Sequence, residues 1–251
     1  MSPPLFVGCA GWTLPRAVQP AFPREGTHLS RYAGVFPAAE INSTFYRPHR
    51  PAIYERWAAS VPEAFRFSVK LPKSITHERR LVEAEAALEE FLGQVSVLGP
   101  KLGCLLVQLP PSLEHDATIA RSFFDALRAR YHGPVALEPR HPSWFTAEAG
   151  RLLEERRVAR VAADPARVPE AAEPGGSTET VYFRLHGSPR MYYSSYEEEY
   201  LDSLATRLRA ARRKADSVWC VFDNTASGAA AANALALLER LRRRSSRSGT
   251  S

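Results

Sequence analysis

Residues 181–187 of this chain read Val-Tyr-Phe-Arg-Leu-His-Gly, which alternates apolar and polar side chains along the whole stretch. Successive side chains of a β-strand point to opposite faces, so a period of two predicts a strand with one apolar and one polar face. We expect the apolar set to pack on helices. The polar set, which includes Arg184 and His186, would then face the opposite side.

Seven more short runs have β-strand character, and helical patterns with apolar residues at every third or fourth position separate several of them. The eight predicted strands are residues 5–9, 40–46, 65–70, 102–109, 135–140, 158–164, 181–187 and 218–224. Alternating strands and helices predict parallel strands with helical crossovers, and eight such units match a single closed (β/α)8 TIM barrel. An open doubly wound sheet is the alternative, but no Gly-x-Gly-x-x-Gly follows the first strand. We expect this barrel domain to occupy residues 1–239.

Composition restricts the class of protein further. The chain has 251 residues, 45% of them hydrophobic and 24% charged, which is typical of one globular domain. No apolar run reaches the roughly 18 residues that a membrane helix requires, and the N-terminus lacks the features of a signal peptide. Cys9, Cys104 and Cys220 each lie in an apolar run, which favours buried reduced thiols and a cytoplasmic location without a membrane partner.

The formal net charge of +6 is concentrated at the C-terminus. Residues 240–251 contain no acidic residue and five arginines, namely Arg240, Arg242, Arg243, Arg244 and Arg247. We expect this segment to be a basic, disordered tail, which leaves the body of the protein nearly neutral. Basicity alone is therefore a weak argument for nucleic-acid binding.

The predicted barrel has an unusually polar interior. Strands of parallel barrels are usually apolar on both faces, whereas several strands here carry ionisable residues on one face. The residues expected to face the barrel axis are Glu40, Arg66, Lys70, Glu138, Arg140 and Arg184. Because burying an isolated charge costs several kcal/mol, these groups must be paired or must line a wet binding site at the C-terminal mouth.

Five ordered segments give a more specific indication. They are residues 40–47 (EINSTFYR), 70–77 (KLPKSITH), 108–111 (QLPP), 138–144 (EPRHPSW) and 184–187 (RLHG). Together they resemble the YecE-like family, also named domain of unknown function 72, over nearly the whole chain. The resemblance implies a TIM barrel and brings no established reaction. One departure is Asp223-Asn224 at the end of the eighth strand, where the family often has two asparagines, so this chain carries an additional carboxylate.

We predict Glu138, His186 and Lys70 as catalytic residues. Glu138 and His186 would exchange protons, and Lys70 would hold charge or act as a base or Schiff-base nucleophile. The predicted substrate-binding residues are Asn42, Tyr46, Arg140, His141, Arg184, Asp223, Asn224 and Gly228. The alternative is a structural ion-pair network in which an arginine neutralises Glu138 and Lys70 is a paired strut.

The sequence suggests two further ligands, a phosphate and a divalent metal. Backbone amides near Gly228, completed by residues 187–189, would bind phosphate at a helix N-terminus, although a simple tight turn explains the same residues. No cofactor is predicted. A divalent metal at Glu138, Asp164, His186 and Asp223 is a weaker hypothesis, because no metal-binding spacing supports it and the nearby cations oppose it.

These features favour an enzyme of the hydrolase or lyase class that acts on a phosphorylated or otherwise anionic small molecule. One alternative is a nucleic-acid-binding, endonuclease-like barrel that uses the same positive mouth, the loop aromatics and the arginine tail. A second alternative is a non-catalytic scaffold with a self-paired polar interior.

Overall fold

The computed structural model describes residues 3–243. The strands are β1 (Leu5–Cys9), β2 (Ala38–Ile41), β3 (Arg66–Lys70), β4 (Leu102–Gln108), β5 (Val135–Glu138), β6 (Val158–Arg160), β7 (Ala162–Asp164), β8 (Gly175–Gly176), β9 (Thr180–Leu185) and β10 (Ser217–Phe222). The α-helices are α1 (His28–Ala33), α2 (Pro51–Ala59), α3 (Glu85–Val95), α4 (Ala117–Arg128), α5 (Ala147–Glu155), α6 (Glu198–Arg212) and α7 (Ala229–Arg243).

The strands form two sheets. One sheet has the order β1-β10-β9-β7 and is entirely parallel. The other has the order β2-β3-β4-β5-β6-β8, and only the short β8 is antiparallel to its neighbour. The predicted α/β fold with parallel strands and helical crossovers is therefore confirmed in its coarse form.

The two sheets meet at two junctions. At the first, one isolated bridge joins Ala10 to Glu40, and the Gly11 amide donates to the Glu40 carbonyl at 2.8 Å. At the second, Val161 separates β6 from β7, and its amide donates to Leu137 of β5 at 2.9 Å. No closed barrel ladder is found within residues 3–243, so a TIM barrel is not established by the hydrogen bonds.

Several predicted strand bounds differ from the structure. The second strand ends at Ile41, and Ser43–Phe45 forms a 3-10 turn instead of continuing the predicted strand 40–46. The Thr44 hydroxyl stabilises this turn by donating towards the Ile41 and Lys70 carbonyls. The predicted strand 158–164 is divided at Val161 into β6 and β7.

Local sequence signals explain the helices. Asp116 caps α4, because its Oδ1 accepts from the amides of Thr118 and Ile119, both at 2.9 Å. The apolar residues of α4, including Phe123 and Leu127, are buried against the sheet, as the period of three to four residues predicts.

The predicted alternation of side chains places two sets of residues on opposite sides of the strands. Phe67 and Val69 of β3 belong to the large core that includes the helices, whereas Ser68 and Lys70 between and after them are buried polar residues. A smaller apolar cluster lies on the inner side of the strands. Its fully buried members include Leu106, Tyr182, Trp219 and Val221.

The C-terminal helix α7 continues to Arg243, so residues 240–243 of the predicted tail belong to a helix. The remainder of that predicted tail, residues 244–251, lies outside the described residues. Cys9, Cys104 and Cys220 are buried and free, as expected. Between residues 3 and 243, no helix has the length and apolar character needed to cross a bilayer.

Candidate functional site

The Arg184 side chain lies at the centre of a buried charged cluster. It projects from β9 and is fully buried. Its guanidinium contacts Glu40 at 2.7 and 3.0 Å, Glu138 at 3.1 Å and Asp223 at 3.0 Å. Three carboxylates from three different strand ends therefore converge on one cation, which compensates the cost of burying them.

Glu138, the last residue of β5, has every acceptor position engaged. Its Oε1 contacts His186 at 2.8 Å and Arg140 at 3.2 Å, and its Oε2 accepts from Arg184 and from the Gln108 amide at 3.0 Å. Burial raises the pKa of this carboxyl, but the adjacent His186 and Arg184 charges hold the pKa well below its ordinary value. Glu138 is therefore an ionised acceptor with four donors.

His186 bridges two carboxylates. Its Nε2 lies 2.8 Å from Glu138 Oε1, and its Nδ1 lies 3.0 Å from Asp223 Oδ2. Carboxylates only accept hydrogen bonds when ionised, so both ring nitrogens act as donors and the ring is an imidazolium. Burial lowers the pKa of His186, but the Glu138 charge and the hydrogen bonds to both carboxylates outweigh burial and raise it.

Lys70, the last residue of β3, differs from these paired groups. Within residues 3–243, its Nζ has no carboxylate within 4.0 Å and no hydrogen-bond acceptor; it lies 4.0 Å from the centre of the Phe45 ring. Burial and the Arg184 charge lower the pKa of Lys70 to about 8, against the attraction of the carboxylates. The ion pair that the structural alternative predicts between Lys70 and Glu40 or Glu138 is therefore not present.

His77 and Phe45 border this lysine. The two rings are 4.8 Å apart in an edge-to-face arrangement, and Phe45 also contacts Lys70. Burial, followed by the Lys70 and Arg140 charges, lowers the pKa of His77 to about 4, so this imidazole is neutral at neutral pH. His77 therefore lies in the positive field of both cations.

Arg140 forms the other side of the site. Its guanidinium donates to Glu138 at 3.2 and 3.3 Å and keeps 15% of the side chain exposed. The neighbouring Tyr192 has a backbone φ of 68°, and its ring packs edge-on against His186. The Tyr192 loop thus covers one edge of the charged cluster.

Other predicted binding residues lie outside the cluster. His141 Nδ1 is 2.9 Å from Ser143 Oγ and caps the turn Pro142–Phe145. Asn224 is buried and donates to the Ser194 carbonyl at 2.9 Å, so it holds a loop. The Gly228 amide donates to the Thr225 carbonyl at 3.1 Å, and the adjoining cavity of 30 Å³ has about the volume of one water. This amide of the predicted phosphate site is therefore engaged by a carbonyl of its own turn.

Asn42 and Tyr46 are not part of the charged cluster either. Asn42 borders a cavity of 360 Å³ that Glu40, Trp12 and Ser43 also line, and its buried Oδ1 has no hydrogen-bond partner among the described residues. Tyr46 is 73% exposed and packs edge-on against Phe45. Asn42 directly precedes and Tyr46 directly follows the 3-10 turn Ser43–Phe45, which replaces part of the predicted strand.

Of the four hypothetical metal ligands, His186 contacts both Glu138 and Asp223, whereas Asp164 lies apart from them. The Glu138 and Asp223 carboxylates contact Arg184 and His186, whereas Asp164 accepts a hydrogen bond from the Tyr196 hydroxyl at 2.9 Å. In the described part of the chain, no group of three or more His, Cys, Asp or Glu side chains is spaced to hold a metal ion.

Sequence reasoning assigned no role to Gln108 and His77. Gln108 is the only polar side chain of β4 and lies opposite Glu138 in the strand register. The alternation of side chains along the strand could therefore have indicated that Gln108 faces the charged cluster. His77 lies in the π-helical turn Ser74–Glu78 after β3, and no periodicity in the sequence indicates its position. Tyr182 is a third contributor, since its hydroxyl is 3.0 Å from Glu40 Oε2.

The sequence and the fold can be compared with those of known proteins. Residues 6–250 match the family described as "Protein of unknown function DUF72". The chain belongs to this family. Over 176 residues it is 30% identical to UPF0759 protein YecE of Escherichia coli (strain K12), a stretch that covers 68% of this chain and 62% of that relative. The resemblance expected from the five segments is thus confirmed.

Two further relatives of this DUF72 chain match over almost its full length. UPF0759 protein YunF of Bacillus subtilis (strain 168) is 24% identical over 271 aligned residues, which cover 94% of each protein. The crystal structure of a DUF72 family protein from Thermotoga maritima MSB8 superimposes with a TM-score of 0.80 at 25% identity, covering 95% of this chain and 99% of the other. The match to this crystal structure supports the α/β fold.

Proposed function

We propose that the charged cluster is the base of an active site that binds a phosphorylated or otherwise anionic small molecule and acts on it as a hydrolase or lyase. The two sheets would form one barrel, with the site at its C-terminal mouth. The observation that carries this proposal is the unpaired ammonium of Lys70 beside a cluster whose carboxylates already have cationic partners.

The charges of the site support an anionic ligand. Glu40, Glu138 and Asp223 contribute three negative charges, and all three contact Arg184. Four cations face them: Arg184, the His186 imidazolium, Arg140 and Lys70. The site therefore carries one more positive than negative charge, and the unpaired positive charge lies at Lys70. A ligand with at least one negative charge would neutralise it.

The contacts suggest how the roles are divided. Lys70 and Arg140 would contact the ligand, because Lys70 is unpaired and Arg140 is partly exposed. A lysine with a pKa of about 8 is suited to accept a proton near neutral pH. Glu138, His186 and Arg184 would act as positioning residues, since each is held by partners on several sides.

Isothermal titration with inorganic phosphate tests the binding step. We expect Lys70→Met to weaken phosphate binding at least tenfold. Lys73→Met is the matched control, because Lys73 lies three residues away, is about half exposed and pairs with Glu78 at 3.0 Å. Equal phosphate affinity in the wild type and Lys70→Met would refute the proposal.

Turnover is then sought among phosphorylated small molecules that compete with phosphate. Lys70→Met should abolish turnover, whereas Lys73→Met should leave it unchanged. The nucleic-acid alternative predicts instead that an oligonucleotide binds with a steep salt dependence, which becomes shallower when the basic tail, residues 240–251, is deleted. The scaffold alternative predicts that no anion binds at Lys70.

A further inference from the structure

We propose that Lys70 is a nucleophile that forms a Schiff base with an anionic carbonyl compound, that is, an aldehyde or ketone bearing a phosphate or carboxylate group. This inference rests on the proposed anion-binding function and deepens it by naming the substrate class. It favours a lyase over a hydrolase, because an iminium ion stabilises the carbanion left by C–C or C–H cleavage.

The first argument is the position of the amine. Lys70 ends β3 with only 6% of its surface exposed, and one side of its Nζ is covered by Phe45 at 4.0 Å. A carboxylate at ion-pair distance would hold the amine protonated, and none lies within 4.0 Å among the described residues. Nζ itself is not fully buried, so part of the amine surface contacts solvent.

The second argument is the contrast with the other lysines. Lys73 pairs with Glu78 at 3.0 Å, and Lys101 donates to the Ala58 and Val61 carbonyls at 2.7 and 2.9 Å. Lys214 is exposed. Only the unprotonated amine attacks a carbonyl, and a pKa of about 8 leaves roughly a tenth of Lys70 unprotonated at neutral pH. For a lysine with an ordinary pKa, the unprotonated fraction at neutral pH is well below 1%.

The third argument is the uncharged wall beside the amine. The Phe45 ring lies 4.0 Å from Nζ and packs edge-on against His77 at 4.8 Å. Burial, followed by the Lys70 and Arg140 charges, lowers the pKa of His77 to about 4, so this imidazole is neutral at neutral pH. Uncharged surroundings favour the unprotonated form of a lysine, which is the form that attacks a carbonyl.

The chemical step balances without a redox partner. Lys70 Nζ attacks the carbonyl carbon, a C–N bond forms, and the carbonyl oxygen takes up a proton to become a hydroxyl. Water accepts the proton that the nitrogen loses. The hydroxyl then leaves with a proton as water, which gives the iminium ion. The net change is amine plus carbonyl plus proton to iminium plus water, and Arg140 would hold the anionic group.

Reductive trapping tests this assignment on the full chain. Glyoxylate and pyridoxal 5′-phosphate are the probes, because they carry a carboxylate and a phosphate, and propanal is the uncharged comparison. Each adduct is reduced with borohydride and located by peptide mass mapping. We expect Lys70 to be labelled at least tenfold faster than Lys73, Lys101 or Lys214. Inorganic phosphate should slow this labelling, and propanal should label Lys70 more slowly than either anionic probe.

Lys70→Arg separates the inference from the proposed function. Arginine keeps the positive charge but is not a nucleophile at neutral pH, so this variant should bind phosphate and lose the adduct. Retained phosphate binding by the wild type with equal labelling of all four lysines would refute the Schiff base and leave the anion site in place. Failure of the wild type to bind phosphate would refute the proposed function itself. If Lys70→Arg does not fold, as judged by circular dichroism, the comparison of the four wild-type lysines decides the question.

Discussion

The Arg184 guanidinium contacts both carboxylate oxygens of Glu40, at 3.0 and 2.7 Å, and the two residues belong to different sheets. This ion pair joins β9 of the first sheet to β2 of the second. Because both side chains are fully buried, neither is solvated if its partner is removed. The pair therefore contributes to the relative position of the sheets as well as to the site.

Glu40→Gln should lower the free energy of unfolding by about 3 kcal/mol, because Arg184 loses a bidentate charged partner in a buried position. Urea denaturation at neutral pH measures the change. The control is Glu78→Gln, which removes the exposed pair with Lys73 and should cost less than about 1 kcal/mol. Similar losses in both variants would contradict a structural role for the buried pair.

Stability should depend on pH through His186. Its pKa is raised in the folded protein, since the two carboxylates outweigh burial, so its contribution is complete below about pH 6.5 and is lost as the pH rises through the folded-state value. The gap in unfolding free energy between the wild type and His186→Gln should therefore narrow between about pH 6 and pH 9, by at most about 1.4 kcal/mol per pH unit. A gap that stays constant over this interval would mean that His186 is not protonated.

Much of this cluster follows from the sequence. The alternation in residues 181–187 correctly separates Phe183 and Leu185, which are in the large core, from Arg184 and His186. The alternation predicts the correct face for these residues because they lie in or directly after a regular strand. It fails at Asn42, because the 3-10 turn at Ser43–Phe45 ends the alternation.

Sulfate affinity should fall at alkaline pH. Sulfate keeps a constant charge, so a change in affinity reports on the protein rather than on the ligand. Deprotonation of Lys70 above its pKa of about 8 removes one positive charge that binds the ligand. The affinity for sulfate should then decrease by up to about tenfold per pH unit.

The matched variant for this titration is Lys70→Arg, which stays charged throughout the range and should lose the decline. Calorimetric titration at successive pH values checks both proteins. A decline of the same size in Lys70→Arg would assign the effect to another group.

Gly8→Ala should be strongly destabilising. A Cβ at Gly8 would lie 1.9 Å from the Ala38 carbonyl oxygen, which belongs to the backbone of β2 and has little room to move. We expect a loss of about 3 kcal/mol or more in unfolding free energy, measured by urea denaturation. Gly93→Ala on α3 is the control, because its Cβ meets no atom within 4 Å and should stabilise the helix by about 0.5–1 kcal/mol. A mild effect at Gly8 would show that β1 and β2 can separate without cost.

Other features of the site were beyond sequence reasoning because they depend on tertiary contacts. Whether Lys70 forms an ion pair depends on the direction of the Glu40 and Glu138 carboxylates. Both carboxylates contact Arg184 instead of Lys70. Whether the Gly228 amide is free depends on the Thr225 carbonyl in the same turn. Patterns of residue type predict which face a side chain occupies, but not which of several partners it contacts.

The Tyr32 hydroxyl accepts a hydrogen bond from the Cys9 amide at 2.7 Å and donates to the Ala38 carbonyl at 2.9 Å. Both backbone groups lie on edge strands of their sheets, and unsatisfied edges recruit strands from other molecules and promote aggregation. The Tyr32 hydroxyl thus pairs with one backbone donor and one backbone acceptor that a strand of another molecule could otherwise bind. The junction of β1 and β2 is thereby protected against intermolecular sheet extension without a continuous ladder between them.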